Sequence, residues 1–137
     1  MRIRAVARGS LKQMQRFTES EIMSAAELQT DAGWTTVCSR SELLPNLGVR
    51  ALMDGEQIAM FSVQGQLYAI SAFDPFSNAA VLSRGIVGDL QGQVVVASPI
   101  YKQHFNLATG TCLEDESVTL KTYAIREMNG EIQLQNL

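Results

Sequence analysis

The chain has 137 residues, of which 46% are hydrophobic and 18% are charged, and its formal net charge is −3. This composition is typical of one globular domain, and no run of about 18 apolar residues is present to span a membrane. The mildly acidic body lacks the basic stripe with which proteins bind a phosphate backbone. Length and charge therefore exclude an integral membrane protein and argue against a nucleic-acid partner.

Few side chains are available to bind a metal. The sequence has one histidine, His104, and two cysteines, Cys38 and Cys112. Zinc sites and iron–sulfur clusters need several such ligands at short spacings, so a site built from His and Cys alone is close to excluded. We interpret the cysteines as reduced, partly buried thiols, with a disulfide between them as the alternative. His104 is expected at the surface.

Residues 1–33 form an N-terminal extension with an uneven charge. The first 17 residues carry five basic side chains and no acidic one. This stretch lacks the apolar core of a secretory signal; it is similar to an organellar transit peptide, or the natural start lies downstream at Met14 or Met23. Thr18 with Glu21 three residues later is a helix N-cap signal. We expect the extension to be helical or disordered.

From Trp34 onward, short apolar runs alternate with turn residues about every 8–12 positions, which predicts an all-β domain over residues 34–137. Asp54-Gly55 and Asn129-Gly130 are the strongest hairpin signals, because glycine accepts a positive φ at no steric cost. Gln64-Gly65 predicts another turn. The domain therefore consists mainly of antiparallel strands, which we expect to form two sheets.

The predicted strands cover residues 34–38, 48–53, 57–63, 66–71, 86–87, 94–97, 101–107, 120–128 and 131–134, with one helical turn over 39–44 and a polar turn over Gly88–Gln93. Apolar residues occupy both faces of the strand at 57–63, so we expect it to be covered on two sides. In the stretch 101–107, alternation places Tyr101 and Phe105 on one face and His104 on the other.

Acidic residues offer two candidate sites. Glu114, Asp115 and Glu116 form a run that could bind a cation, although such runs are usually solvated loop. Asp74 lies in the sequence Phe73-Asp74-Pro75-Phe76, where Asp-Pro is typical of turn initiation. The sequence contains neither a phosphate-binding glycine motif nor a nucleophile–histidine–acid arrangement. Residue by residue, it assembles no active site.

The stretch from Asp74 to Gly110 carries a series of motifs: DPFSNAAVLSRG, the strand VVVASPIY and then HFNLATG. This series resembles the Rieske-type iron–sulfur domain, in particular the small subunit of NADH-dependent nitrite reductase. In true Rieske domains, a Cys-x-His pair and a Cys-x-x-His pair on two loops hold a two-iron cluster. The resemblance places those four ligand positions at Asp74, Phe76, Ser98 and Tyr101, and none of them carries a sulfur or imidazole ligand.

The resemblance implies an all-β, Rieske-like antiparallel β-sandwich that holds no cofactor. It also implies a cytoplasmic, non-catalytic role as the small subunit of an assimilatory enzyme that reduces nitrite to ammonium with NADH. The implied partner is a large subunit with FAD, siroheme and an iron–sulfur cluster. We expect Phe76, Arg84 and Tyr101 to contact this large subunit. In the alternative interpretation, Phe76 and Tyr101 are core residues that fill the space of the cluster. The alternatives are a Rieske-like binding module unrelated to nitrite and a functional electron-transfer ferredoxin.

Overall fold

The computed structural model describes residues 3–6 and 33–136, which are built mainly of β-strands. The strands are β1 (Ile3–Val6), β2 (Trp34–Ser39), β3 (Val49–Met53), β4 (Glu56–Val63), β5 (Gln66–Ser71), β6 (Ile86–Leu90), β7 (Gln93–Ala97), β8 (His104–Asn106), β9 (Ile125–Met128) and β10 (Glu131–Gln135). Within these residues, the helical segments are two 3₁₀ turns, Arg40–Glu42 and Leu82–Arg84. The described part of the chain has no helix of the length and hydropathy that crossing a membrane requires.

The strands form three sheets, so the expectation of two sheets is wrong, while the all-β prediction is confirmed. Their strand orders are β1-β3-β4-β5, β2-β10-β9 and β6-β7-β8. The pairs are antiparallel except that β1 runs parallel to β3. Within the extension predicted to be helical or disordered, residues 3–6 form this strand. The helix predicted from Thr18 lies outside the described residues.

Two-residue turns decide the register of the hairpins. Asp54-Gly55, Gln64-Gly65 and Asn129-Gly130 each connect two antiparallel strands, as predicted, and both residues of each turn have positive φ. This geometry is that of type I′ turns, whose twist matches the flanking strands. The longer turn predicted over Gly88–Gln93 is wrong. β6 continues to Leu90, and Gln91-Gly92 alone reverses the chain with the same pair of positive φ angles.

β4 lies between two apolar clusters and forms the centre of the fold. Ile58 and Met60 belong to a cluster shared with β2, β3 and β10, whereas Phe61 and Val63 belong to a second one shared with β7 and β8. The prediction that this strand is covered on both sides is therefore confirmed. Burying each large apolar side chain contributes roughly 1.5–3 kcal/mol to stability. The two cysteines are thiols in separate clusters, Cys38 in the first and Cys112 in the second.

The strand predicted over 101–107 is shorter in the structure. Only His104–Asn106 form a ladder, because the chain turns at Lys102, whose φ is 65°. The Lys102 amide donates to the carbonyl of Ser98 at 3.1 Å and closes this turn. Tyr101 therefore lies in a turn, and the prediction that it shares a strand face with Phe105 is wrong.

The strand predicted over 120–128 is also shorter, since only Ile125–Met128 form a ladder with β10. The preceding residues bond instead to β5, where the amide of Tyr123 donates to the carbonyl of Ala69 at 2.9 Å. The backbone partner thus changes along the segment, so the prediction of one continuous strand over 120–128 is wrong.

Candidate functional site: two loops at the former ligand positions

Two neighbouring loops hold the four positions that the resemblance assigns to cluster ligands. The first loop, residues 72–81, follows β5, and the second, residues 98–103, connects β7 to β8. Asp74 in the first loop and Ser98 in the second are both buried. The Ser98 hydroxyl donates to Asp74 Oδ2 at 2.5 Å, across 24 positions of sequence. The two positions that the resemblance assigns to the cysteine ligands are therefore joined by a hydrogen bond.

Asp74 also organises its own loop. Its Oδ1 accepts a hydrogen bond from the amide of Phe76, and its Oδ2 accepts one from the hydroxyl of Ser77, both at 2.9 Å. An aspartate that bonds the backbone two residues ahead is the usual device of an Asx turn, which agrees with the turn predicted from Asp-Pro. Three hydrogen bonds thus offset the cost of burying the carboxyl group.

The two positions that the resemblance assigns to the histidine ligands differ from each other. Phe76 is partly buried, with its ring centroid 6.1 Å from that of Phe105, and it packs against the second apolar cluster. Tyr101 is 62% exposed in the turn of the second loop. Of the two interpretations that the sequence left open, Phe76 has the packing of a core residue, whereas Tyr101 has the exposure of a contact residue.

The residues present do not fit a [2Fe–2S] cluster. Rieske iron is bound by thiolate sulfur and imidazole nitrogen, whereas these positions offer one carboxylate, one hydroxyl and two aromatic rings. The carboxylate already accepts hydrogen bonds from Ser98, Ser77 and the Phe76 amide. Among residues 3–6 and 33–136, no group of three or more His, Cys, Asp or Glu side chains could hold a metal ion. The chemistry that these positions do support is hydrogen bonding and packing between two loops.

Arg84 is exposed at the end of the 3₁₀ turn Leu82–Arg84, on a tightly packed piece of backbone. A Cβ atom at Gly48 would lie 2.1 Å from the carbonyl oxygen of Ser83, and one at Gly85 would lie 2.5 Å from that of Ala97. Only glycine permits approaches this close. The two glycines therefore fix the 3₁₀ turn against its neighbours, and with it the position of Arg84.

The single histidine forms a partly exposed side-chain contact with Glu114. His104 Nδ1 lies 2.6 Å from Glu114 Oε2, and the His104 amide donates to Glu114 Oε1 at 2.7 Å. Partial burial acts to raise the pKa of Glu114, but the contacts from His104 outweigh it and leave the pKa below its ordinary value. Asp115 and Glu116 are exposed, as expected of a solvated loop.

Cys112 lies next to this pair without forming a nucleophilic site. Its Sγ donates to Glu114 at 3.7 Å. Burial, the largest influence, raises the pKa of the Cys112 thiol, so the thiol stays protonated at neutral pH. His104, Glu114 and Cys112 therefore connect β8 to the following loop and do not form an activated thiolate.

Sequence reasoning missed two features near the loops. The bond between Asp74 and Ser98 has no local signal, because neither residue type identifies its partner. The exposure of Leu47 and Ile100 did have a local sequence signal. Each lies within two residues of a proline in a turn, and turns run along the protein surface.

Comparisons with known proteins place this geometry in a family. A family model described as a Rieske-like [2Fe-2S] domain matches residues 33–135. The nitrite reductase (NADH) small subunit of Salmonella typhimurium is 45% identical over 104 residues, which cover 74% of this chain and 96% of that relative. The chain belongs to the family of NADH nitrite reductase small subunits. The family resemblance predicted from the loop motifs is thereby confirmed.

Other members of this small-subunit family and its relatives agree with the assignment. The NMR structure of the Escherichia coli protein NirD has a TM-score of 0.70 and 43% identity, covering 75% of this chain and 96% of that one. The nitrite reductase [NAD(P)H] large subunit of Klebsiella oxytoca contains a segment 32% identical over 103 residues, which are 75% of this chain and 11% of that relative. A domain similar to this small subunit thus forms part of a large-subunit chain.

Proposed function

We propose that this chain is an accessory subunit of an NADH-dependent nitrite reductase, which contributes no redox centre and docks onto the large subunit. The observation that carries the proposal is the hydrogen bond from Ser98 to Asp74. The resemblance assigns these two positions to the thiolates that bind iron in Rieske domains, whereas here the loops are joined by a hydrogen bond. The electrons that reduce nitrite to ammonium then pass through the large subunit alone.

The choice of partner is supported by the Klebsiella oxytoca relative, in which a similar domain and the large subunit are parts of one polypeptide. Domains joined in one chain and separate in another commonly act in the same complex. In the family context, the large subunit carries FAD, siroheme and an iron–sulfur cluster. Because NADH is a cytoplasmic electron donor, the complex belongs in the cytoplasm.

The interface residues remain part of this proposal. Tyr101 is exposed in the second loop and Arg84 is exposed just after the first, where a partner can reach them. Phe76 acts from beneath, because its ring packs against Phe105 and supports the first loop. We therefore assign direct contact to Arg84 and Tyr101, and a supporting role to Phe76.

The absence of a redox centre is tested with the purified chain, using a true Rieske ferredoxin produced in the same cells as the control. The chain should be colourless, with no absorbance beyond the aromatic band and less than stoichiometric iron. A brown protein with stoichiometric iron would instead make the chain an electron-transfer ferredoxin.

The accessory role is tested with the large subunit. Nitrite-dependent oxidation of NADH by the purified large subunit is measured with and without this chain, and the chain should bind and change the rate. If the chain neither binds the large subunit nor alters nitrite reduction, the interpretation as a binding module unrelated to nitrite is correct.

A further inference from the structure

Large apolar side chains are exposed next to the two loops. Among the described residues, seven large hydrophobic side chains are exposed, and five of these, from 46% to 75% exposed, are Leu44, Leu47, Ile86, Ile100 and Tyr101. The other two do not line the groove described below: Phe73, in the first loop, lines a separate depression beside Tyr123, and Met128 is on β9. Single exposed apolar residues are ordinary, but a connected group of them marks an interaction site.

The first part of this group borders a groove. Leu44 and Leu47 line a groove of about 340 Å³ together with Arg84 and Gly85. The close approach of the Gly48 backbone to the 3₁₀ turn holds the two sides of this groove together. The groove is therefore preformed by backbone packing.

The second part continues from the groove to the second loop. Gly85 contacts the backbone of Ala97, and Ile86 pairs with Ala97 across β6 and β7. The next residue along the chain is Ser98, which begins the loop that carries Ile100 and Tyr101. The five apolar residues and Arg84 thus lie on segments that are joined by the groove and by these backbone contacts, and we refer to these six residues as the tip surface.

Two basic side chains at this surface make no ion pair or side-chain hydrogen bond with a described residue: Arg84 and, beside Tyr101, Lys102. Other basic residues do, since Arg40 pairs with Glu127 at 3.3 Å and Lys121 with Glu56 at 3.2 Å. Glu42 also lines the groove, and its carboxylate accepts a hydrogen bond from the Ser39 amide at 3.2 Å. On a chain with a net charge of −3, Arg84 and Lys102 give this surface a basic character. A basic spot of this kind steers and favours an acidic partner surface.

We infer that the tip surface is the site at which the large subunit docks, and that the large subunit presents there an apolar patch with acidic residues. This inference rests on the proposed function and extends its contact region from the two loops to the groove at Leu44 and Leu47. The bond between Asp74 and Ser98 and the packed glycines hold the surface in one conformation before binding. Preorganisation of this kind lowers the entropic cost of association.

The test measures the Kd of the full chain for the purified large subunit, by calorimetric titration, with three single variants. Leu47→Ser probes the groove, Arg84→Glu the basic spot and Tyr101→Ala the second loop. Each should weaken binding about tenfold or more, because aromatic, Arg and anchoring apolar residues dominate interface energetics. Met128→Ala is the matched control, since it removes an exposed apolar side chain elsewhere, and its Kd should stay within about twofold of wild type.

The variants change exposed side chains, and circular dichroism and thermal melts verify that each is folded. Binding of wild type should weaken as salt rises, and this dependence should be smaller for Arg84→Glu, because salt screens exposed charges. A dependence that Arg84→Glu leaves unchanged would contradict the assigned role of this side chain.

The outcomes separate the surface from the function. If wild type binds and all three variants bind equally well, docking occurs elsewhere and the inference fails while the proposed function stands. If Leu47→Ser alone is without effect, the groove is not part of the surface, and the inference is wrong as stated. If wild type does not bind the large subunit, the proposed function itself fails. If the chain alone forms a dimer that Leu47→Ser dissociates, the surface joins two copies of this chain and the inference is overturned.

Discussion

Removing the hydroxyl of Ser98 should measure how strongly the two loops are held together. Ser98→Ala deletes the donor to Asp74 at 2.5 Å and leaves the buried carboxylate with one hydrogen bond fewer. A net hydrogen bond to a charged group contributes about 1.5–3 kcal/mol, and an unsatisfied buried group retains its desolvation cost. We expect the free energy of unfolding to fall by about 2 kcal/mol, which is about a 30-fold change in the unfolding equilibrium.

The chain offers a closely matched control. The Ser117 hydroxyl donates to Asp115 Oδ1, also at 2.5 Å, but both residues are exposed. Ser117→Ala removes the same chemical pair at the same distance in solvent, where surface substitutions stay within about 0.5 kcal/mol. The difference between the two variants therefore isolates the effect of burial.

Urea unfolding followed by the fluorescence of Trp34, the only tryptophan, gives both values. The melting temperature of Ser98→Ala should fall by about 8 °C, with little change for Ser117→Ala. If Ser98→Ala loses no more stability than Ser117→Ala, the buried hydrogen bond does not hold the loops together, and the reasoning about the former ligand positions is wrong.

Gly48→Ala should lower the free energy of unfolding by about 2 kcal/mol or more, because its new methyl group meets a carbonyl oxygen. Gly88→Ala, the control, adds a methyl group in open space and should not lower it. Urea unfolding compares the two variants, and equal stability would contradict the close packing at Gly48. The pKa of Glu114 is depressed in the folded state, so its contribution is present above pH 4.5 and is lost as pH falls through the folded value. Glu114→Gln should therefore be less stable than wild type at neutral pH, and this difference in stability should disappear in acid. Thermal melts at a series of pH values measure the difference, and a difference that stays constant would show that the contact with His104 is irrelevant. The Cys112 thiol should react with Ellman's reagent only after unfolding, and immediate labelling of the native chain would refute its burial.

Local sequence patterns predicted correctly those strands that pair with the next strand along the chain. The Asp54-Gly55 and Asn129-Gly130 turns set their hairpins through two residues with positive φ, which sequence reveals directly. Apolar residues on both faces of β4 likewise predicted its central place. The errors fall where distant backbone groups decide: Tyr123 was predicted in one strand with residues 125–128, yet its amide donates to Ala69 of β5 and not to the β9–β10 hairpin.

The sequence by itself determined which atoms the two loops can offer to a metal, because sulfur and imidazole are either encoded at the four positions or not. Only the tertiary structure decided that Asp74 and Ser98 bond each other, that Phe76 turns inward while Tyr101 stays exposed, and that Leu47 lies beside Arg84. The physical reason is that donor identity belongs to a single side chain. Burial and hydrogen-bond partners belong to pairs of segments, which meet only when strands far apart in sequence pack together.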